Sequence, residues 1–253
     1  MAVVRARALA VAAGVPALFA LMAAALTVTG QTAPALAIES GAGPVSGSGF
    51  SVMRQSAQFR PMTRFFDVPT TDNVAFITID DGVDKDRKAL AYVEENQLPI
   101  TSFISTWTIK DEAEFFTRIS RWGSIQNHSA THANFTNEST DLDHEICYSQ
   151  RALLKAFGSA PWMLRPPYGA GGDLLATQVK AQGCGLERIV MWDAVVDNGK
   201  VSISGGELKP GAIVLLHFND HLTKDLKAAV KAIRDAGLTP ANLADYLPAT
   251  SSS

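Results

Sequence analysis

The sequence predicts an α/β fold, a parallel sheet or barrel with its helices on the outside. Three observations predict it. Short apolar runs of strand character alternate with helical stretches from about residue 74 to residue 237, and this alternation builds parallel sheets through helical crossovers. The chain shows no internal repeat. Ionisable residues fall at or just past the carboxyl ends of the predicted strands, at Asp80, Asp81, His128, Arg165, Asp193 and His217. In parallel α/β architectures those ends gather on one face, and that face hosts the site.

The elements follow in order. Residues 74–79 are an apolar run that ends in two acids, and 86–96 are helical with Ala89, Leu90 and Val93 on one face. Residues 100–105 read as a second strand, 111–122 as a helix carrying Phe115, Phe116 and Ile119, and 124–127 as a short third strand. A long helix is predicted over 141–157, where Gly158 stops it. Strands at 162–165, 186–192 and 213–217 follow, with helices at 173–182 and 222–236, the last ended by Gly237.

Composition sets the class. An apolar fraction of 47% is ordinary for a globular chain once the apolar first segment is allowed for. The net charge of −3 and the lack of a basic stripe argue against nucleic acid as a partner. Arg5 and Arg7 precede an uncharged stretch over 8–28, and Ala35-Leu36-Ala37 offers a small-x-small cleavage site. Residues 1–37 therefore read as an export signal, which makes the protein secreted and cell-wall facing. The alternative is a retained membrane anchor with the rest of the chain outside, although Gly14 and Pro16 interrupt the run. Residues 38–69 read as a flexible Gly/Ser-rich linker and lead-in, 70–248 as one catalytic domain, and 249–253 as a tail. Cys147 and Cys184 suggest one disulfide in an exported chain, the alternative being two buried thiols.

The chemistry lies in four short stretches. His128-Ser129-Ala130-Thr131-His132 spaces two imidazoles so that one helical turn, or a loop of similar pitch, lets both share a metal; alone, the pattern equally fits two surface histidines. Asp80-Asp81-Gly82 ends an apolar strand in two acids, which is costly without a partner charge. A cation removes that cost, and neighbouring acids can diverge, one to the metal and one to substrate; the alternative is a solvated turn. Two histidines and one carboxylate leave coordination positions open, the catalytic form of a zinc site. Arg165-Pro166-Pro167-Tyr168-Gly169 presents a guanidinium that can hold a carboxylate, and Leu215-Leu216-His217 ends the last strong strand.

Together these residues resemble the NodB-homology polysaccharide deacetylases, carbohydrate esterase family 4. The family's Thr-Phe-Asp-Asp-Gly motif appears as Thr78-Ile79-Asp80-Asp81-Gly82, and its His-(Ser/Thr)-x-x-His motif as His128 to His132, introduced by Asn127. Its Arg-x-Pro-Tyr-Gly motif appears as Arg165 to Gly169, and its Leu-x-His motif as Leu215 to His217. The resemblance implies a distorted (β/α) barrel that holds a divalent metal, Zn²⁺ first and Co²⁺ second, through Asp81, His128 and His132. It implies Asp80 as general base, positioned by Arg165, and His217 as general acid, with the Tyr168 N–H stabilising the oxyanion. The substrate it implies is an N-acetylated polysaccharide, peptidoglycan or a chitin-like polymer. An O-acetyl polysaccharide esterase and a non-catalytic carbohydrate-binding relative are the alternatives. A monomer is expected, with membrane contact only through an uncleaved first segment. One motif departs: where the family has Asp-x-x-Asp-Trp, this chain has Trp192-Asp193-Ala194-Val195-Val196-Asp197-Asn198. Asp193 or Asp197 then supplies the carboxylate that tunes His217, and Trp192 lines the sugar pocket. Ala133 also stands where the family commonly has Pro.

Overall fold

Burial on both faces explains the apolar run at 74–79. It lies in the strand β2 (Val74–Asp81) at the centre of a curled sheet. Ala75, Ile77 and Ile79 pack against the outer helices. Phe76 packs inside the barrel, and Thr78 and Asp80 on the same face meet Arg165 there, as the two-residue period of a strand requires. The structure, a computed structural model, describes residues 59–250. The export-signal or anchor segment 1–37, the linker as far as 58 and residues 251–253 lie outside the described residues.

The other strands are β1 (Arg64–Phe65), β3 (Ile100–Ile104), β4 (Ser124–Asn127), β5 (Met163–Leu164), β6 (Arg188–Val190), β7 (Ala194–Asp197), β8 (Lys200–Ile203), β9 (Ala212–His217) and β10 (Thr239–Pro240). Their order is β1-β6-β5-β4-β3-β2-β9-β7-β8, with β10 paired to the start of β2. Every pairing between named strands is parallel except β7 with β8. The helices α1 (Arg87–Asn96), α2 (Ala113–Ile119), α3 (Ser149–Phe157) and α5 (Leu222–Asp235) cover the sheet through Leu90, Phe116, Leu153 and Leu226. Two more helices, α4 (Leu175–Gly183) and α6 (Leu243–Tyr246), complete the described set. Asp86 starts α1 by accepting from Lys88 and Ala89, and it also accepts from Thr223 in the first turn of α5. The expected distorted (β/α) barrel is thus the observed architecture. Among the described residues, no helix is long and apolar enough to cross a membrane.

Three local features differ from the sequence reading. The lead-in is already part of the sheet, because β1 pairs with β6. The helix expected over 141–157 begins as a wide π-type turn, Asp143–Tyr148, before α3; the Asn127 amide donates to the Ile146 carbonyl there, 3.3 Å away. The β7–β8 hairpin was not expected. Its turn is Asn198-Gly199, both at positive φ, the pair that a tight primed hairpin turn favours.

Cys147 in the wide turn is bonded to Cys184 at the end of α4, with Cα atoms 5.4 Å apart. The bridge spans 37 residues of sequence. Reduction is expected to lower stability by about 2–4 kcal/mol, because the unfolded chain regains the entropy of that loop. Urea midpoints with and without reductant check this; equal midpoints would show that the bridge adds nothing.

Candidate active site

By strict alternation Asp81 would point away from Asp80, toward the helices. Its backbone instead turns to φ 79°, which swings the carboxylate to the two histidines. Asp81 Oδ1 lies 3.3 Å from His128 Nε2 and 3.1 Å from His132 Nε2. This oxygen is buried and accepts no hydrogen bond from the described residues. Donors around a tetrahedral cation at roughly 2.0–2.1 Å sit about 3.3 Å apart, so the three side chains fit a divalent metal ion. His128 Nδ1 lies 2.7 Å from the Arg165 carbonyl, which fixes the tautomer and leaves Nε2 free to ligate.

The histidine loop is no helix. Asn127 Oδ1 accepts from the Ser129 N–H at 2.8 Å, and Ser129 Oγ accepts from the His132 N–H at 2.9 Å. Ser129 and His132 both take positive φ, and Ser105 Oγ holds the His128 carbonyl at 2.7 Å. Burial raises the Asp81 pKa, but the adjacent imidazoles outweigh it and hold the carboxyl well below its usual range. Burial likewise opposes a charged His128, yet Asp80 and Asp81 pull its pKa up overall. A proton therefore competes with a cation for this cluster, and metal affinity falls with acid.

Asp80 is held from the other side. Arg165 has no exposed surface, and its Nη1 donates to Asp80 Oδ1 at 2.7 Å and to Thr78 Oγ1 at 2.8 Å. Its Nε donates to the Val190 carbonyl and its Nη2 to the Met191 carbonyl. The guanidinium lies 4.2 Å from the Phe103 ring centroid. Asp80 Oδ2 then stands 3.8 Å from His128 Nε2, at the edge of the Asp81–His128–His132 cluster.

The remaining expected residues divide. His217 ends β9 in register with Asp80, and among the described residues no carboxylate pairs with its ring. Tyr168 sits at φ 60° in the turn Pro167–Gly169, its ring 4.6 Å from that of His132. Trp192 packs over this turn: a Cβ on Gly169 would come 2.8 Å from the indole. Asp193 does not reach His217. It stands beside Ile213, four residues before His217 on β9, and its carboxylate accepts the Ile213 N–H at 2.9 Å. The expectation that it tunes His217 is corrected on that geometry: Asp193 lies just before β7 rather than closing β6, and burial raises its pKa. Asp197 turns to His221 instead, at 3.0 Å.

The family model described as polysaccharide deacetylase matches residues 67–186, which include the Asp80–Asp81, His128–His132 and Arg165–Gly169 stretches. The chain belongs to the polysaccharide deacetylase family. An uncharacterized protein of Streptomyces coelicolor is 32% identical over 194 residues, covering 71% of this chain and 75% of the relative. The peptidoglycan-N-acetylmuramic acid deacetylase PdaA of Bacillus subtilis is 24% identical, over 70% of this chain and 73% of that one. A solved family 4 carbohydrate esterase from Bacillus anthracis superposes with a TM-score of 0.60 at 24% identity, covering 74% of this chain and 88% of that chain.

One residue of this deacetylase domain escaped the sequence reading. Glu145, in the wide turn, is buried and accepts from the Thr131 N–H at 2.9 Å and its hydroxyl at 2.6 Å, so it braces the histidine loop. The available signal was a lone acid among positions of the helix that bury, with Ile146, Ser149 and Gln150. Burial raises the Glu145 pKa, but the hydrogen bonds from Thr131 outweigh it and the net shift is downward. Its ionised form therefore contributes stability above the unfolded carboxylate pKa of about 4.3, lost as pH falls through the lower folded value. Glu145→Gln is expected to lower stability by about 1–3 kcal/mol at neutral pH, with the gap closing in acid. Urea unfolding at neutral and strongly acid pH checks this; an equal gap at both would assign the effect to packing.

Proposed function

We propose that this chain is a metal-dependent hydrolase that removes acetyl groups from an N-acetylated polysaccharide of the peptidoglycan or chitin type. The observation that carries the reading is Asp80, held by the buried Arg165 beside the Asp81–His128–His132 cluster and in register with His217. The likeness to the peptidoglycan-N-acetylmuramic acid deacetylase of Bacillus subtilis supports a cell-wall polymer as substrate. The export-signal reading of residues 1–37 supports action outside the cell, secreted or tethered.

Asp81, His128 and His132 would hold a divalent cation, Zn²⁺ first and Co²⁺ second. Such a cation polarises the acetyl carbonyl and acidifies water. Asp80 takes the proton of the attacking water as its oxygen joins the carbonyl carbon. Arg165 keeps the Asp80 carboxylate fixed in place. The Tyr168 N–H, which no carbonyl of the described residues accepts, donates to the developing oxyanion. His217 gives a proton to the sugar nitrogen as the carbon–nitrogen bond breaks, and acetate and a free amine leave.

Acetate release from chitin oligomers, peptidoglycan and acetylated xylan, measured beside metal content, tests the reading. Chelation is expected to abolish activity, and Zn²⁺ or Co²⁺ to restore it. Asp80→Asn and His217→Ala are each expected to lower turnover by roughly 10²–10⁴-fold with the metal retained. Asp81→Asn should lose the metal first. Full turnover in the metal-free protein would overturn metal dependence, and unchanged turnover in all three variants would overturn the hydrolase reading. Faster release from xylan would move the substrate to O-acetyl esters.

A further inference from the structure

Asp225, in the first turn of α5, has no exposed surface. Its Oδ1 accepts the Gly199 N–H of the β7–β8 turn at 2.6 Å. Its Oδ2 is buried and accepts no hydrogen bond from the described residues, yet it faces His221 Nε2 at 3.6 Å. Asp197 Oδ1 faces the same nitrogen at 3.0 Å. One ring N–H can serve only one of these two carboxylates, and a buried carboxylate oxygen without a partner is costly. The other ring nitrogen, Nδ1, lies 2.7 Å from Asp220 Oδ1. A carboxylate on the far nitrogen is the arrangement that orients ligating histidines. Lys224, on the same helix, donates instead to Asn198 Oδ1 at 2.8 Å.

The active-site cluster shows the same three marks: convergent histidine and carboxylate donors, a buried Asp oxygen without a proton donor, and a histidine fixed through Nδ1. We propose that Asp197, His221 and Asp225 form a second divalent-cation site, which pins the β7–β8 hairpin to the first turn of α5. One imidazole with two carboxylates suits Zn²⁺, Mn²⁺ or Co²⁺. Asp220 is a positioning residue that orients His221. Continued by two residues, the pairing of Val195 with Leu215 brings Asp197 level with His217. The second cation therefore stiffens the strand beside the one that carries the candidate acid. The site is independent of the deacetylase reading.

The test uses the chain stripped by chelation and titrated with Zn²⁺, with bound metal counted by equilibrium dialysis and elemental analysis. The wild-type chain is expected to bind two ions and Asp81→Asn to keep the second. His221→Ala and Asp197→Asn should each remove that second ion. Asp197 is largely exposed, so its variant keeps the fold and covers the case in which His221→Ala does not. Asp220→Asn should weaken the second site by roughly 10–100-fold. A wild-type chain whose bound ion is lost in Asp81→Asn and kept in His221→Ala would overturn the proposal, leaving a protonated His221 as the bridge between the carboxylates. A second ion that survives Asp197→Asn at unchanged affinity would overturn it too, because that ion would lie elsewhere.

Discussion

The buried ion pair between Arg165 and Asp80 is the constraint on which the rest of the site depends. A guanidinium with no contact with water costs several kcal/mol to bury. This one is offset by Asp80, by the Thr78 hydroxyl and by the carbonyls of Val190 and Met191. Those partners come from β2 and from the end of β6 and the residue that follows it, and β2 and β6 do not pair with each other. The guanidinium thus spans the barrel interior and ties its two walls together. The same residue gives its own carbonyl to His128 Nδ1, so one side chain and its backbone fix both the candidate base and a candidate metal ligand.

Backbone strain is concentrated around that pair. Asp81, Ser129, His132 and Tyr168 all have positive φ, a conformation that costs of order 1–3 kcal/mol for each residue with a side chain. Each has an identifiable purpose. Asp81 turns its carboxylate out of the strand alternation, Ser129 and His132 fold the loop so that both imidazoles converge, and Tyr168 leaves its N–H without an internal partner. Asn127, Ser105 and Glu145 hold these conformations through hydrogen bonds to the loop. Residues that never touch substrate therefore set the geometry of those that would.

Much of this was legible in the sequence. The apolar run before Asp80 and Asp81, the histidine spacing and the alternation of strands with helices encode local patterns, and local patterns survive reading. What was not legible depends on distant pairing. The two-residue strands β1 and β10 have no periodicity of their own and exist because β6 and β2 offer them edges. Asp193 was assigned to the end of one strand because the apolar run before it has no break, but the chain has already crossed to the start of the next. The β7–β8 hairpin did carry a signal in Asn198-Gly199, set between two short runs of strand residues. The inward turn of Asp81 had none, because an aspartate that ends a strand does not by itself announce a positive φ.

The most direct test of the central claim is a double-mutant cycle on the metal-free protein, with Arg165→Met, Asp80→Asn and the pair measured by urea unfolding. If the buried pair governs the barrel, Arg165→Met alone strands a charge and costs roughly 3–5 kcal/mol. The double variant then recovers part of that loss, with a coupling of about 1–3 kcal/mol. Effects that add to within about 0.5 kcal/mol would contradict the account, because the two residues would then act independently.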